Sequence, residues 1–283
     1  MAPVLDDITQ GSRLSSIAAG PAVVHQVRYS PGHFMPPHAH RHANITLVLA
    51  GSQTDVIERG RYTGAPLSII FKPSGAEHST TIGERGLRTT VLEIDPAIER
   101  VLRRRCGLFT RCASIDSGPL CQSLIGLWAA MLLRRDSPER LVGSWLSALS
   151  PSALGLVLGS PHQARDAALI AAAEVSLTAD HGPDAGTAQL AERLGLHPTS
   201  VTRLFRRHYG HGVRARIRLL RVRDAADRLA GGCEPIAAVA LRTGFADQSH
   251  LTRDFRRETG LTPAQFRRLA AWPPPNGSPR AAA

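Results

Sequence analysis

The sequence of 283 residues predicts an α+β multidomain protein with an all-β N-terminal domain, a helical middle segment and an all-α C-terminal domain holding two helix-turn-helix units. Three observations predict it. Between Val23 and Asp95, short runs rich in Val, Ile, Thr and Leu are separated at near-regular spacing by Gly, Pro and Ser, as in a β-barrel or sandwich. Residues 187–209 and 235–260 each read as a short helix, a tight turn and a second helix carrying Arg, so one plan occurs twice. Charge is also uneven: Thr187 to Ala270 holds 16 Arg against 7 acidic residues, which is +9 of the formal +11.

The strands expected in the first domain are Ala22–Tyr29, Asn44–Ala50, Thr54–Glu58, Leu67–Phe71 and Leu87–Ile94. From Pro96 to Ser160 the chain reads as helical, with candidates at Ala97–Arg105, Pro119–Leu133 and Pro138–Leu149. Leu120, Leu124, Leu127, Trp128 and Met131 form an apolar stripe on the second of these, and such a stripe is most often core. Ser150 to Pro161 has the Ser, Gly and Pro content of a linker, and residues 271–283 have the composition of a disordered tail.

In the first repeat Ala188, Ala191, Leu194 and Leu196 are apolar, Gly195 marks the break, and Val201, Leu204 and Phe205 resume the apolar face. In the second, Ile236, Val239 and Ala240 precede Gly244-Phe245, with Leu251 and Phe255 following. Pro198 and Pro235 suit first helical positions, and Asp247 suits an N-cap. Between the apolar positions of the second helices lie Thr199, Ser200, Thr202 and Arg203, then Gln248, His250, Thr252 and Arg253. These are groups that hydrogen-bond base edges in a major groove. Gly212 to Ala230 has no internal Pro or Gly. It predicts a connecting helix of roughly 27 Å, which with the width of the two units suits neighbouring major grooves about 34 Å apart.

Segment 166–269 resembles the DNA-binding domain of the AraC/XylS family of bacterial transcription regulators. The motif L-A-E-R-L-G-L-H-P-T-S-V-T-R-L-F-R-R-H-Y-G and the later I-A-A-V-A-L-R-T-G-F-A-D-Q-S-H-L-T-R-D-F-R-R-E-T-G-L-T-P-A-Q-F-R-R carry the resemblance. It implies that Thr199, Thr202 and Arg203 face bases in one groove and Gln248, His250, Thr252 and Arg253 in the next. Arg206, Arg207, Arg256 and Arg257 are then phosphate contacts or solvated surface. His197 stands where the family usually has Ser, and an imidazole is the weaker helix cap. Helices placed like those of residues 101–162 commonly pair two subunits in that family, so a linker and a homodimer face are both expected of that segment.

Residues 1–100 resemble a cupin. The first cupin motif fits Gly32, His38, His40 and Gly51 with Asn44 where Glu is usual, and the second fits Pro73, Gly75 and His78 with Ile82 where Asn is usual. His38 and His40 are two apart on a strand and point to one face, and with His78 they make a three-His set that suits a divalent metal. Two readings stay open: metal ligands, or polar lining of a small-molecule pocket.

Cys106, Cys112, Cys121 and Cys233 form no C-x-x-C pair, and free thiols are expected, with Cys106 beside Arg103 to Arg105 a candidate redox thiol. The start lacks the apolar core of a signal peptide and no 18-residue apolar run occurs, which predicts a cytoplasmic protein without a membrane partner. Of 34 basic residues only Lys72 is lysine, so part of the Arg signal is codon bias. The expectation is a DNA-binding transcription regulator, not an enzyme. Its partners would be double-stranded DNA, a small ligand and RNA polymerase, and it would require no cofactor. The competing expectation is a metal-dependent cupin enzyme or metal sensor fused to a DNA-binding domain.

Overall fold

The computed structural model describes residues 3–5, 10–57, 60–116, 118–150, 161–182 and 185–271. Almost all of the expected linker (Ser150 to Pro161) and of the expected tail (271–283) lies outside the described residues.

The N-terminal domain is a nine-stranded sheet, antiparallel except that β1 (Val4–Leu5) runs parallel to β4 (Phe34–His40). Two long strands organise it: β5 (Ala43–Ile57) and β8 (His78–Ile94) pair along most of their length. β3 (Ala22–Tyr29) joins the second half of β8 and is flanked by β2 (Ser12–Ala18), while β4 joins the first half of β8. On β5, β7 (Ile69–Lys72) pairs with the first half and β6 (Gly60–Gly64) with the second. The short β9 (Ala113–Ile115) closes on β7.

Two expected strands, Asn44–Ala50 and Thr54–Glu58, are thus one. Gly51 is a bulge and not a turn, with φ +75 and the register slipping on both sides of it. No side chain fits there, because a Cβ at Gly51 would stand 1.9 Å from the Gly86 carbonyl oxygen. In the same way β8 extends the expected Leu87–Ile94 back to His78 through Gly83 and Gly86, which read as breakers in sequence. The sequence reading has no strand at β2, whose residues are half-exposed and polar on a sheet edge.

After the sheet come α1 (Pro96–Cys106), α2 (Pro119–Leu132) and α3 (Pro138–Ala148), within one residue of the expected bounds. The stripe on α2 is buried inside the chain: Leu124 is 1% and Trp128 3% exposed, and the Trp128 ring stands 5.8 Å from that of Phe266. This face is occupied by the protein's own core and is not available to pair two subunits.

The C-terminal domain runs α4 (Pro161–Ala179), α5 (Thr187–Arg193), α6 (Pro198–Tyr209), α7 (Val213–Gly231), α8 (Ile236–Arg242), α9 (Gln248–Thr259) and α10 (Pro263–Ala270). The connector is α7, whose 19 residues give about 28 Å. Its core is divided. The first helix-turn-helix unit has its own cluster around Leu190, Val201, Phe205 and Ile217. The second shares one continuous cluster with the sheet, α2 and α3, through Val222, Leu229, Val239, Phe255 and Phe266.

Polar residues of α7 fasten the two domains. Arg216, Arg223 and Asp227 lie at i, i+7 and i+11, one face of a helix, and all three are buried. Arg216 and Arg223 pair with Asp116, at 2.6 and 3.5 Å, while Asp227 accepts from the Gly51 N–H at 2.6 Å and pairs with Arg85 at 2.7 Å. The sequence predicts the length of this helix but not its buried, charged face.

Candidate nucleic-acid interface and histidine cavity

The two helix-turn-helix units are built alike. Each turn has a glycine at positive φ, Gly195 at 63 and Gly244 at 79. Each second helix ends on a left-handed glycine, Gly210 and Gly260, whose N–H bonds the carbonyl of Arg206 or Arg256. Asp247 caps α9 and accepts from the His250 amide at 2.7 Å. His197 caps α6, but its Nδ1 takes the Thr199 amide at a longer 3.4 Å. This agrees with an imidazole being the poorer cap. Pro198 opens α6 as expected, whereas Pro235 is the N-cap of α8 and not its first residue.

On α6, Thr199, Ser200 and Arg203 are exposed and Thr202 is half-buried; on α9, Gln248 and Arg253 are exposed and His250 and Thr252 half-buried. Thr202 and Thr252 sit at matching places, each donating its hydroxyl back to a carbonyl four residues earlier, that of Pro198 at 3.0 Å and of Gln248 at 2.8 Å. Their oxygens remain able to accept. Thr202, Arg203 and Arg206 line one open concavity, and Thr252, Arg253 and Arg256 line its counterpart.

The four expected phosphate contacts separate into two kinds. Arg207 pairs with Asp166, and Arg257 pairs with Asp254 at 2.7 Å and Glu258 at 3.3 Å. Arg206 and Arg256 have no carboxylate partner among the described residues and stay free for a phosphate. His250 is held too, 3.4 Å from Asp254 and edge-on to Phe245.

Behind the first unit, Arg216 donates to both carboxylate oxygens of Glu174, at 2.8 and 2.6 Å, and lies under the Tyr209 ring. The Tyr209 hydroxyl donates to the same Glu174 at 2.8 Å. Burial opposes the Arg216 charge, but Asp116 and Glu174 outweigh it and hold its pKa above the usual guanidinium range.

In the sheet domain His38, His40 and His78 come together. One ring nitrogen from each lies within 4.8 Å of the others, and all three residues are buried. His38 and His78 are cross-strand partners on β4 and β8. The Nδ1 of His38 lies 2.7 Å from the Pro36 carbonyl and that of His78 lies 2.9 Å from the Ala76 carbonyl. A carbonyl can only accept, so each Nδ1 carries its hydrogen and each Nε2 keeps a lone pair. The Nδ1 of His40 is buried with no partner. This donor set fits a metal ion: three neutral imidazoles, two with their tautomer fixed from outside. The surrounding cavity, about 30 Å³, is lined also by Asn44, Gln53, Lys72 and Thr80. Asn44 takes a hydrogen bond from Thr46 at 3.3 Å.

Sequence reasoning missed the ion pair at the cavity floor. Asp55, fully buried, accepts from Lys72 Nζ at 2.9 Å, from Gln53 at 2.8 Å and from the Thr80 hydroxyl. The signal was available, since Lys72 is the sole lysine of the chain and sits in an apolar strand. His42, in the β4–β5 turn, is half-buried and paired with Glu93. Cys106 is buried and bonded to the Leu102 carbonyl, a poor place for a redox thiol.

Burial, followed by the Lys72 charge, pushes the His40 pKa down to about 3; burial and Lys72 do the same to His78. Both are therefore neutral in the folded state from neutral pH down to about 3, while in the unfolded chain they take up protons below the ordinary value of 6.5. Stability is unaffected by them above pH 6.5 and falls as pH drops from there toward 3. Urea midpoints at pH 7 and pH 4.5 should differ strongly in the wild type and less in His40→Phe; equal differences would remove His40 from the account.

An antiparallel sheet domain with a buried polar cavity, docked on paired helix-turn-helix units, defines the class of a sensor domain joined to a nucleic-acid-binding domain. Two family models match in that order: an AraC-like ligand binding domain over residues 20–149 and a helix-turn-helix domain over residues 190–269. The chain thus joins an AraC-like ligand binding domain to a helix-turn-helix domain. It is 36% identical over 101 residues to the HTH-type transcriptional regulator GlxA of Rhizobium meliloti, a match covering 36% of this chain and 31% of that protein. Over 79 residues it is 32% identical to the multiple antibiotic resistance protein MarA of Salmonella typhimurium, covering 28% of this chain and 62% of MarA. The chain thus spans about a third or less of the length of the first curated relatives it matches. The crystal structure of ToxT from Vibrio cholerae aligns over 89% of this chain and 99% of ToxT, with a TM-score of 0.39 and 12% identity. No helix among the described residues is long and apolar enough to cross a membrane.

Proposed function

We propose that the protein is a sequence-specific DNA-binding transcription regulator whose response is set by a small ligand in the N-terminal domain. The observation that carries this is the doubled unit itself: two recognition helices that end on matching left-handed glycines, each displaying Thr and Arg side chains over an open concavity. One chain then reads two successive grooves, so its site need not be a palindrome. A ligand acts by preferring one arrangement of the domains, and by no more than that difference in affinity. Where the regulator activates, RNA polymerase is a further partner.

The test is selection of bound sites from random duplex DNA, followed by variants at two salt concentrations. Arg203→Ala or Arg253→Ala should cost about 1–3 kcal/mol on the selected site and relax preference there. Arg206→Ala should weaken all DNA alike and reduce the salt slope by about one. Equal losses on selected and random DNA for Arg203→Ala would sink its role as a base reader.

A second reading concerns what the sensor holds. The fixed tautomers of His38 and His78 favour a metal ion bound by His38, His40 and His78, which would make the domain a metal sensor. A bound ion would supply a fixed positive charge linking β4 and β8. Elemental analysis after titration with zinc, manganese, iron and copper salts should find one equivalent that His38→Ala loses. Absence of any stoichiometric metal would leave the three histidines as pocket lining.

A further inference from the structure

A cleft of about 410 Å³ lies where the sheet meets the end of α7, and its charges do not balance. Its two carboxylates are both taken: Asp227 by Arg85 and the Gly51 amide, Glu234 by Arg242 at 2.7 Å and Arg228 at 4.0 Å. Two further guanidinium groups have no carboxylate partner among the described residues. Arg28 on β3 and Arg88 on β8 are direct cross-strand partners, and like charges placed so are destabilising. Arg88 is half-buried, and its partners among the described residues are carbonyls, those of Ala230 and Ala270 at the ends of α7 and α10. Burial first, and Arg28 second, lower its pKa. Arg28 is exposed and has no side-chain partner among the described residues. By contrast Arg85 of the same cleft meets Asp227, and farther along α7 Arg216 and Arg223 meet Asp116.

We infer that the cleft is an anion-binding site, in which Arg28 and Arg88 take an oxyanion of the carboxylate or phosphate class between the sheet and α7. Guanidinium groups suit such anions because their paired N–H donors match two oxygens at once. The anion would relieve the repulsion within the sheet and, with Arg228 of α7 on the cleft wall, tie the two domains together. This site is separate from the histidine cavity and does not depend on the reading of that cavity.

Thermal unfolding of the full chain, at constant ionic strength set by sodium chloride, tests it with two probes, sodium phosphate and sodium succinate. A saturable rise in midpoint with either probe is expected in the wild type, and which probe gives it distinguishes phosphate from carboxylate. The rise should be lost in Arg28→Gln and kept in Arg61→Gln, an exposed Arg on β6. In chloride alone Arg28→Gln should melt at or above the wild type, because the like-charge pair is gone. A rise of the same size in Arg28→Gln, no rise with either probe, or an Arg28→Gln melting below wild type in chloride would each overturn the inference.

Discussion

Asp55→Ala should destabilise the sheet domain by about 3–5 kcal/mol, the cost of stranding one member of a buried ion pair. The Asp55 side chain is wholly buried and that of Lys72 is 8% exposed, so water cannot replace the lost carboxylate. Burial alone would raise the Asp55 pKa, but Lys72 and the Thr80 hydroxyl outweigh it and hold it below its ordinary value. The imidazoles nearby offer Lys72 no negative charge, and Gln53 and Thr80 would also lose their acceptor. Removing both charges should behave differently. Asp55→Ala with Lys72→Met leaves an apolar stem in place of the cation and should recover most of the loss. Urea unfolding of the two variants decides the matter: a double variant as unstable as the single one would mean that packing, not charge, sets the cost.

That pair also shows where sequence reading stops. The helix-turn-helix units were legible because caps, turn glycines and apolar spacing are local: Gly195, Gly244, Asp247 and the run from Val201 to Phe205 need no knowledge of the rest of the chain. The three histidines were legible as a set because two lie on one strand face and the third follows a recognisable turn. Asp55 and Lys72 were not, since their partnership is made by the pairing of β5 with β7 and β8, and a single Asp among strand residues carries no local sign of it. The same holds for Asp116 with Arg216 and Arg223. Gly51 shows the converse. A glycine that reads as a turn is a bulge when the strands on both sides of it pair with the same neighbour.

Phe255→Ala should cost about 3–5 kcal/mol, and the loss should be felt in the sheet domain as well as in the helices. Phe205→Ala should cost a similar amount but stay local. Both phenylalanines are fully buried and occupy the same place in their respective units, so sequence alone treats them as equivalent. Their surroundings differ. The Phe255 ring is 5.3 Å from that of Phe266, which in turn meets Trp128 of α2, within the cluster that runs on into β5 and β8. Phe205 packs with Leu190, Val201 and Ile217 in a separate cluster. In a Trp272→Phe background, fluorescence follows Trp128 and Trp145, and circular dichroism follows the helices. Phe255→Ala should move both transitions together; Phe205→Ala should lower the helical transition and leave the tryptophan one in place. The consequence for regulation is directional. A change in the sheet reaches the second recognition helix through shared packing, but among the described residues it reaches the first along α7 and through the Asp116 contacts. If Phe205→Ala shifts the tryptophan transition as far as Phe255→Ala does, the two units are equally coupled to the sheet and this asymmetry does not exist.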